Sequence, residues 1–180
     1  MKRTASLLMI LALGVSLGAA ALSAADAQPE GTPANPPMPS PASITQAEDG
    51  SVLLHARDVT IHGTTVRYEP QPHKNTIGYW TKQDDWVSWT FAVAKPGTFA
   101  IEVLQGCGKG SGGAEVAVTI GAQAVTFTVE DTGHFQNFVK RSIGQITIGE
   151  AGLITLSVKP KTKPGVAVMD LRQVLLTPVK

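Results

Sequence analysis

Trp86-Val87-Ser88-Trp89-Thr90-Phe91-Ala92-Val93-Ala94-Lys95-Pro96-Gly97-Thr98-Phe99-Ala100-Ile101-Glu102-Val103 alternates twice, once on each side of Pro96-Gly97. Val87, Trp89, Phe91 and Val93 share one face of the first run, and Phe99, Ile101 and Val103 share one face of the second. Period-two alternation of β-branched and aromatic residues is the pattern of a half-buried strand. A Pro-Gly turn between two such runs predicts a central antiparallel hairpin. Immediately upstream stand Gly78-Tyr79-Trp80 and Asp84-Asp85, so the chain's three tryptophans fall within ten residues, beside two adjacent carboxylates.

The same reading extends in both directions. Ile44 to Asp49 predicts a short helical turn. Val52–His55, Val59–His62 and Thr65–Glu69 are short apolar pieces, the last with Val66 and Tyr68 on one face. Beyond a glycine-rich loop, Gly106 to Gly113, Val116, Val118 and Ile120 alternate up to Gly121-Ala122, and Val125, Phe127 and Val129 alternate back. Phe135–Ile143, Ile146–Ile148, a turn at Gly149-Glu150-Ala151-Gly152, the run Ile154, Leu156, Val158, and Val166–Leu176 complete the chain. Short strands punctuated by Gly and Pro, with no sustained helical spacing, predict an all-β sandwich or barrel with antiparallel sheets.

The N-terminus carries Lys2 and Arg3, an apolar small-residue run from Leu7 to Ala21, and Ala25-Asp26-Ala27 before Gln28. This is the layout of a cleaved signal peptide, residues 1–27; the run is short for a membrane span. Residues 28–43 are proline-rich and lack the apolar surface that repays ordering, which predicts an extended linker. Residues 44–180 form the predicted domain. Removing 1–27 takes the charged residues from 15 basic and 14 acidic to 13 of each. That balance excludes a generic nucleic-acid binder, which needs clustered basic excess. The single cysteine, Cys107, excludes an intramolecular disulfide.

Several blocks carry a resemblance. Leu54-His55-Ala56-Arg57-Asp58, Ile61-His62-Gly63, Asp85-Trp86-Val87-Ser88-Trp89, Lys95-Pro96-Gly97-Thr98-Phe99 and Val168-Met169-Asp170-Leu171 resemble the galactose-binding-like jelly roll, and are similar to family 6 and family 35 carbohydrate-binding modules. The stretches Leu104–Gly113, Glu130–Phe138 and Lys161–Asp170 resemble a narrower group, the non-catalytic domains of bacterial proteins labelled arylsulfatase or N-acetylgalactosamine-6-sulfatase. The resemblance implies an all-β jelly-roll β-sandwich of two packed antiparallel sheets. It also implies a structural calcium held by two glutamates near the first strand and an aspartate on the last. Asp170 matches the aspartate, but the glutamate positions are His55 and Arg57. Arginine cannot ligate calcium, so Arg57 is expected to pair with Asp170 in the metal's place, and no cofactor is predicted, with a structural calcium as the alternative. The asparagine that often precedes the aspartate is replaced by Val168.

No catalytic set accompanies the fold. Cys107 is followed by Gly-Lys-Gly-Ser-Gly, not by the C/S-x-P-S/A-x-R motif of a sulfatase. Lys109 precedes Gly110, so the glycine-rich loop is not a P-loop. His55, His62, His73 and His134 lack ligand spacing. Cys107 and His134 carry no nucleophile signature. Asp84 and Asp85 point to opposite faces of an extended chain and suit a turn better than a dyad.

The chain therefore reads as a non-enzymatic, exported binding module, periplasmic or secreted. Trp89 belongs to the core by periodicity, and Trp86 fits either side. Tyr79 and Trp80 are the predicted platform for a sugar, helped by Gln105, Lys109, His134 and Asn137. His134-Phe135-Gln136-Asn137 forms a second polar-aromatic loop. Lys159, Lys161 and Lys163 recur at alternate positions near Lys140 and Arg141. They either meet a sulfated or acidic glycan or simply protect a sheet edge. The expected partner is a polysaccharide or glycan, with a sulfatase or other envelope protein as a further partner. No nucleic acid and no membrane span after processing are expected. The rival reading is a protein–protein interaction module of the envelope without sugar binding.

Overall fold

The computed structural model describes residues 44–180, and the predicted signal peptide and linker lie outside that range. Twelve strands and one 3-10 turn follow in the order β1 (Ile44–Thr45), β2 (Val52–His55), the turn (Ala56–Asp58), β3 (Thr60–His62), β4 (Arg67–Glu69), β5 (Thr76–Gly78), β6 (Trp86–Val93), β7 (Gly97–Cys107), β8 (Glu115–Ile120), β9 (Gln123–Thr128), β10 (His134–Ile148), β11 (Gly152–Pro160) and β12 (Asp170–Pro178). One sheet has the order β1-β6-β11-β8-β9, with β3 also on β6. The other has the order β10-β7-β12-β5-β4, with β2 also on β12. This is the all-β, two-sheet jelly-roll sandwich the sequence predicts.

The alternating faces meet between the sheets. Val87, Trp89, Phe91, Leu156, Val158, Val116 and Val118 of the first sheet pack with Phe99, Ile101, Val103, Leu54, Val174 and Leu176 of the second, all buried. Removing this apolar surface from water is the principal stabilising term, at about 25 cal/mol per Å². Trp89 also ties the sheets together, because its Nε1 donates to the carbonyl of His55 at 2.9 Å. The outer faces carry polar cross-strand pairs: Thr90 with Thr155 at 3.1 Å, and Thr98 with Thr147 at 3.0 Å.

Three expectations need correction. The strands flanking Pro96-Gly97 are not a hairpin: β6 pairs with β1, β3 and β11, while β7 pairs with β10 and β12. The turn carries the chain from one sheet to the other, so the two apolar faces confront each other across the core instead of lying side by side. The side chain of Gln46 holds this crossing, accepting from Ala94 N and Lys95 N at 3.1 and 2.8 Å. Ile44 and Thr45 form no helical turn; they pair in parallel with Phe91 and Ala92, the one parallel ladder among the described residues. The pieces Phe135–Ile143 and Ile146–Ile148 are a single strand, β10, with irregular register after His134 and after Ser142. The real short hairpin is β8–β9, across Gly121-Ala122 as expected. Among the described residues no helix is long and apolar enough to cross a membrane.

Candidate functional site

A pocket of about 260 Å³ opens at one end of the second sheet. Four strand ends build it: Glu69 closes β4, Tyr79 follows β5, Gln136 lies near the start of β10, and Asp170 starts β12. Lys74, from the turn between β4 and β5, joins them. Tyr79, Phe135, Val166 and Ala167 supply apolar wall, with Thr81 at the margin. Jelly-roll strands ending together at one edge thus present side chains distant in sequence around a single depression.

Tyr79 is held for this position. It is 49 % exposed and adopts φ +52°, a conformation that non-glycine residues seldom accept. The Arg67 guanidinium stacks 3.5 Å from its ring centroid, and the Lys74 ammonium lies at 5.8 Å. Phe135 is placed by Gly108, where an added Cβ would stand 2.5 Å from the ring. The glycine-rich loop is therefore packing surface for Phe135, and Asp131 fastens it by accepting from Gly110 N and Gly133 N.

The floor is acidic. Glu69 Oε1 accepts from Lys74 Nζ at 2.6 Å, and this bond with the accompanying attraction raises the lysine's pKa. Asp170 is buried and accepts from Gln136 Nε2 on Oδ2 at 3.4 Å. Burial pushes its carboxyl up to about 7, the Gln136 bond opposes that, Glu69 adds to it, and Lys74 and Arg172 oppose it. Arg172 fastens the turn that bears Lys74, donating to the carbonyls of His73 at 3.0 Å and Lys74 at 2.6 Å. Its guanidinium also stacks 3.7 Å above the Phe138 ring.

The residues singled out in the sequence separate here. Tyr79 lines the pocket. Trp80 does not: it is fully buried, its Nε1 donates to the carbonyl of Asp85 at 2.8 Å, and its own carbonyl accepts from Val168 N. An indole sealed in this way plugs the sandwich end and offers no platform. Gln105 is also fully buried, bonded through Nε2 to the Glu130 carbonyl at 2.9 Å. Lys109, His134 and Asn137 are exposed but lie outside the pocket lining. Asn137 Nδ2 donates to the Thr132 carbonyl at 2.6 Å, and His134 Nδ1 accepts from Gln136 N at 3.1 Å. The expected Arg57–Asp170 pair is absent: Arg57 is exposed and reaches Asp58 at 3.6 Å, whereas Lys74 is the cation nearest the acidic floor. His55 instead accepts from Arg57 N through Nδ1 at 3.1 Å.

The other candidates are structural. Asp85 is buried and accepts from Thr64 N, Thr65 N, Thr65 Oγ1 and Val66 N at 2.7–3.0 Å. Burial alone would raise its pKa, but these four bonds outweigh it and hold the carboxyl at about 2. Cys107 lies opposite His134 in the β7–β10 ladder, yet the thiol is buried, which with Asp131 and Asp170 pushes it up to about 11. A thiol so disposed is no nucleophile at neutral pH. Trp86 sits half-buried on the outer face, stacked on His62 with centroids 3.5 Å apart and with Lys159 Nζ at 3.9 Å from its ring. The rest of the basic group is also engaged: Lys161 with Thr126, Lys163 with the Gly165 carbonyl, Lys140 with Glu102, and Arg141 with Glu130.

Glu69 and Lys74 were not singled out in the sequence, whereas Phe135 and Gln136 belong to the polar-aromatic loop that was, and both line the pocket. Asp170 was noted only as the position of a metal ligand; its partners lie on strands whose adjacency only the fold establishes.

Among solved structures the chain is similar to the C-terminal CBM6 of LamC, a marine laminarinase from Zobellia galactanivorans (17 % identity, 71 % of this chain and 98 % of that one, TM-score 0.57). It is also similar to a family 35 carbohydrate binding module from Clostridium thermocellum (12 %, 72 % and 98 %, 0.59). A third is the module CBM6cm-2 from Cellvibrio mixtus lichenase 5A in complex with cellotriose (18 %, 71 % and 97 %, 0.55). At these identities the likeness establishes the fold. No curated protein matches the sequence. Residues 59–180 match the family described as Domain of unknown function (DUF5077), and the chain belongs to that family.

Proposed function

We propose that this protein is an exported, non-catalytic glycan-binding module whose ligand sits in the pocket beside Tyr79. The observation that carries the reading is the pocket itself: a concavity of about 260 Å³ with an exposed tyrosine on its wall and Glu69, Lys74, Gln136 and Asp170 beneath. Sugars offer apolar ring faces and flanking hydroxyls, and a site for them combines an aromatic surface with a few fixed polar groups. The likeness to carbohydrate-binding modules supports the same reading at the level of fold. Export to the periplasm or beyond rests on the N-terminal sequence pattern. Association with a sulfatase rests on sequence resemblance alone. A preference for sulfated or acidic glycans finds no support in the pocket, where two carboxylates face one lysine.

The test is retention on a broad glycan panel. The wild type should be retained by at least one glycan, and Tyr79→Ala should lose that retention with an unchanged melting curve. A blank panel, together with co-purification of an envelope protein, would establish the interaction-module alternative instead.

A further inference from the structure

We infer that the pocket selects its glycan through a protonated amine, so that its ligand carries non-acetylated amino sugars. This rests on the glycan-binding reading and narrows it.

Two carboxylate oxygens, Glu69 Oε2 and Asp170 Oδ1, converge over Gly78. A methyl group added there would collide with the first and stand 3.1 Å from the second. Neither oxygen has a hydrogen-bond partner among the described residues, since Glu69 bonds Lys74 through Oε1 and Asp170 bonds Gln136 through Oδ2. Asp170 is 4 % exposed and Glu69 is 7 % exposed, yet both line the pocket. Both oxygens are left free to accept from a group that enters the pocket.

The charge balance decides which donor fits. Lys74 neutralises one carboxylate and is the only cation lining the pocket among the described residues. Arg172 is committed to the carbonyls of His73 and Lys74. An ammonium brings a full charge and three donors, enough to bridge both oxygens, whereas a hydroxyl brings one donor and no charge. Calcium fits less well, because it needs six to eight oxygen ligands. Sulfate or uronate would face like charge. Tyr79, Phe135 and Val166 give the pocket an apolar wall beside these oxygens.

The test compares glucosamine, galactosamine and mannosamine with their N-acetyl forms and parent hexoses, by NMR shift titration of the purified chain. At least one amino sugar should bind about 10-fold more tightly than both of its counterparts, the worth of one charge-assisted contact. Asp170→Asn should abolish the preference while keeping the wild-type circular dichroism. Equal or tighter binding of the hexoses or N-acetyl sugars overturns the inference and leaves glycan binding standing. Equal binding of lysine methyl ester assigns the pocket to peptide amines and overturns it as well. No binding here combined with a blank glycan panel removes both readings.

Discussion

Replacing Asp170 by asparagine should remove a loss of stability that the wild type undergoes as pH rises. The carboxyl sits at about 7 in the folded chain, against 3.8 for the ordinary group. Between those values the native state holds a proton that the unfolded state has released. Stability from this residue is therefore full below about pH 4, declines as pH rises, and levels off above about pH 7. Each tenfold difference in proton affinity is about 1.4 kcal/mol, so the whole window corresponds to about 4 kcal/mol. Asparagine keeps the shape and cannot ionise, and its amide is able to donate toward Glu69 Oε2. The free energy of the wild type minus that of Asp170→Asn should fall by up to about 4 kcal/mol between pH 4 and pH 8. Taking this difference cancels the titrating groups remote from Asp170, while Glu69 and Lys74 stay coupled to it. Urea unfolding at four or five pH values measures it, and a carbon-detected NMR titration of the Asp170 carboxyl gives the midpoint directly. Parallel stability curves for the two proteins, or a midpoint near 4, would refute the argument.

Asp85→Ala should destabilise the domain by about 3–5 kcal/mol at pH 7, because four donors from Thr64, Thr65 and Val66 lose their acceptor together; in the wild type this contribution is present above about pH 4 and lost as pH falls toward 2, which acid titration of the two proteins will show. Trp80→Ala should cost about 3–5 kcal/mol in chemical denaturation, the mark of a core indole; an unchanged midpoint would mean that the ring is not sealed inside. Cys107 should resist thiol reagents in the folded chain at pH 8 and react only at the rate of global unfolding.

Most of the strands, and which side of each is buried, could be read from residues in order. Val87, Trp89, Phe91 and Val93 are buried as their alternation requires, and so are Phe99, Ile101 and Val103. The candidate site was only partly legible. Tyr79 was found because a large ring in an irregular segment lacks an assigned core partner, but the same reasoning chose Trp80, whose neighbour in sequence points the opposite way. Gln105 looked like a polar group beside a loop and proved to be a buried strap to Glu130. Glu69 ends a three-residue strand with nothing local to mark it.

By itself the sequence determined the all-β class, most of the turns and the inward faces, since these depend on side-chain period and on backbone permissiveness at Gly and Pro. It did not determine pairing. A strand-turn-strand pattern reads the same whether the second strand lies beside the first or across the core from it, because alternation reports burial and not the identity of the partner. The tertiary structure decided that β6 and β7 belong to different sheets, and it brought the ends of β4, β5, β10 and β12 to one edge. The pocket exists only there: two carboxylates a hundred residues apart acquire a common environment, and a raised pKa at Asp170, only when packing excludes water from both.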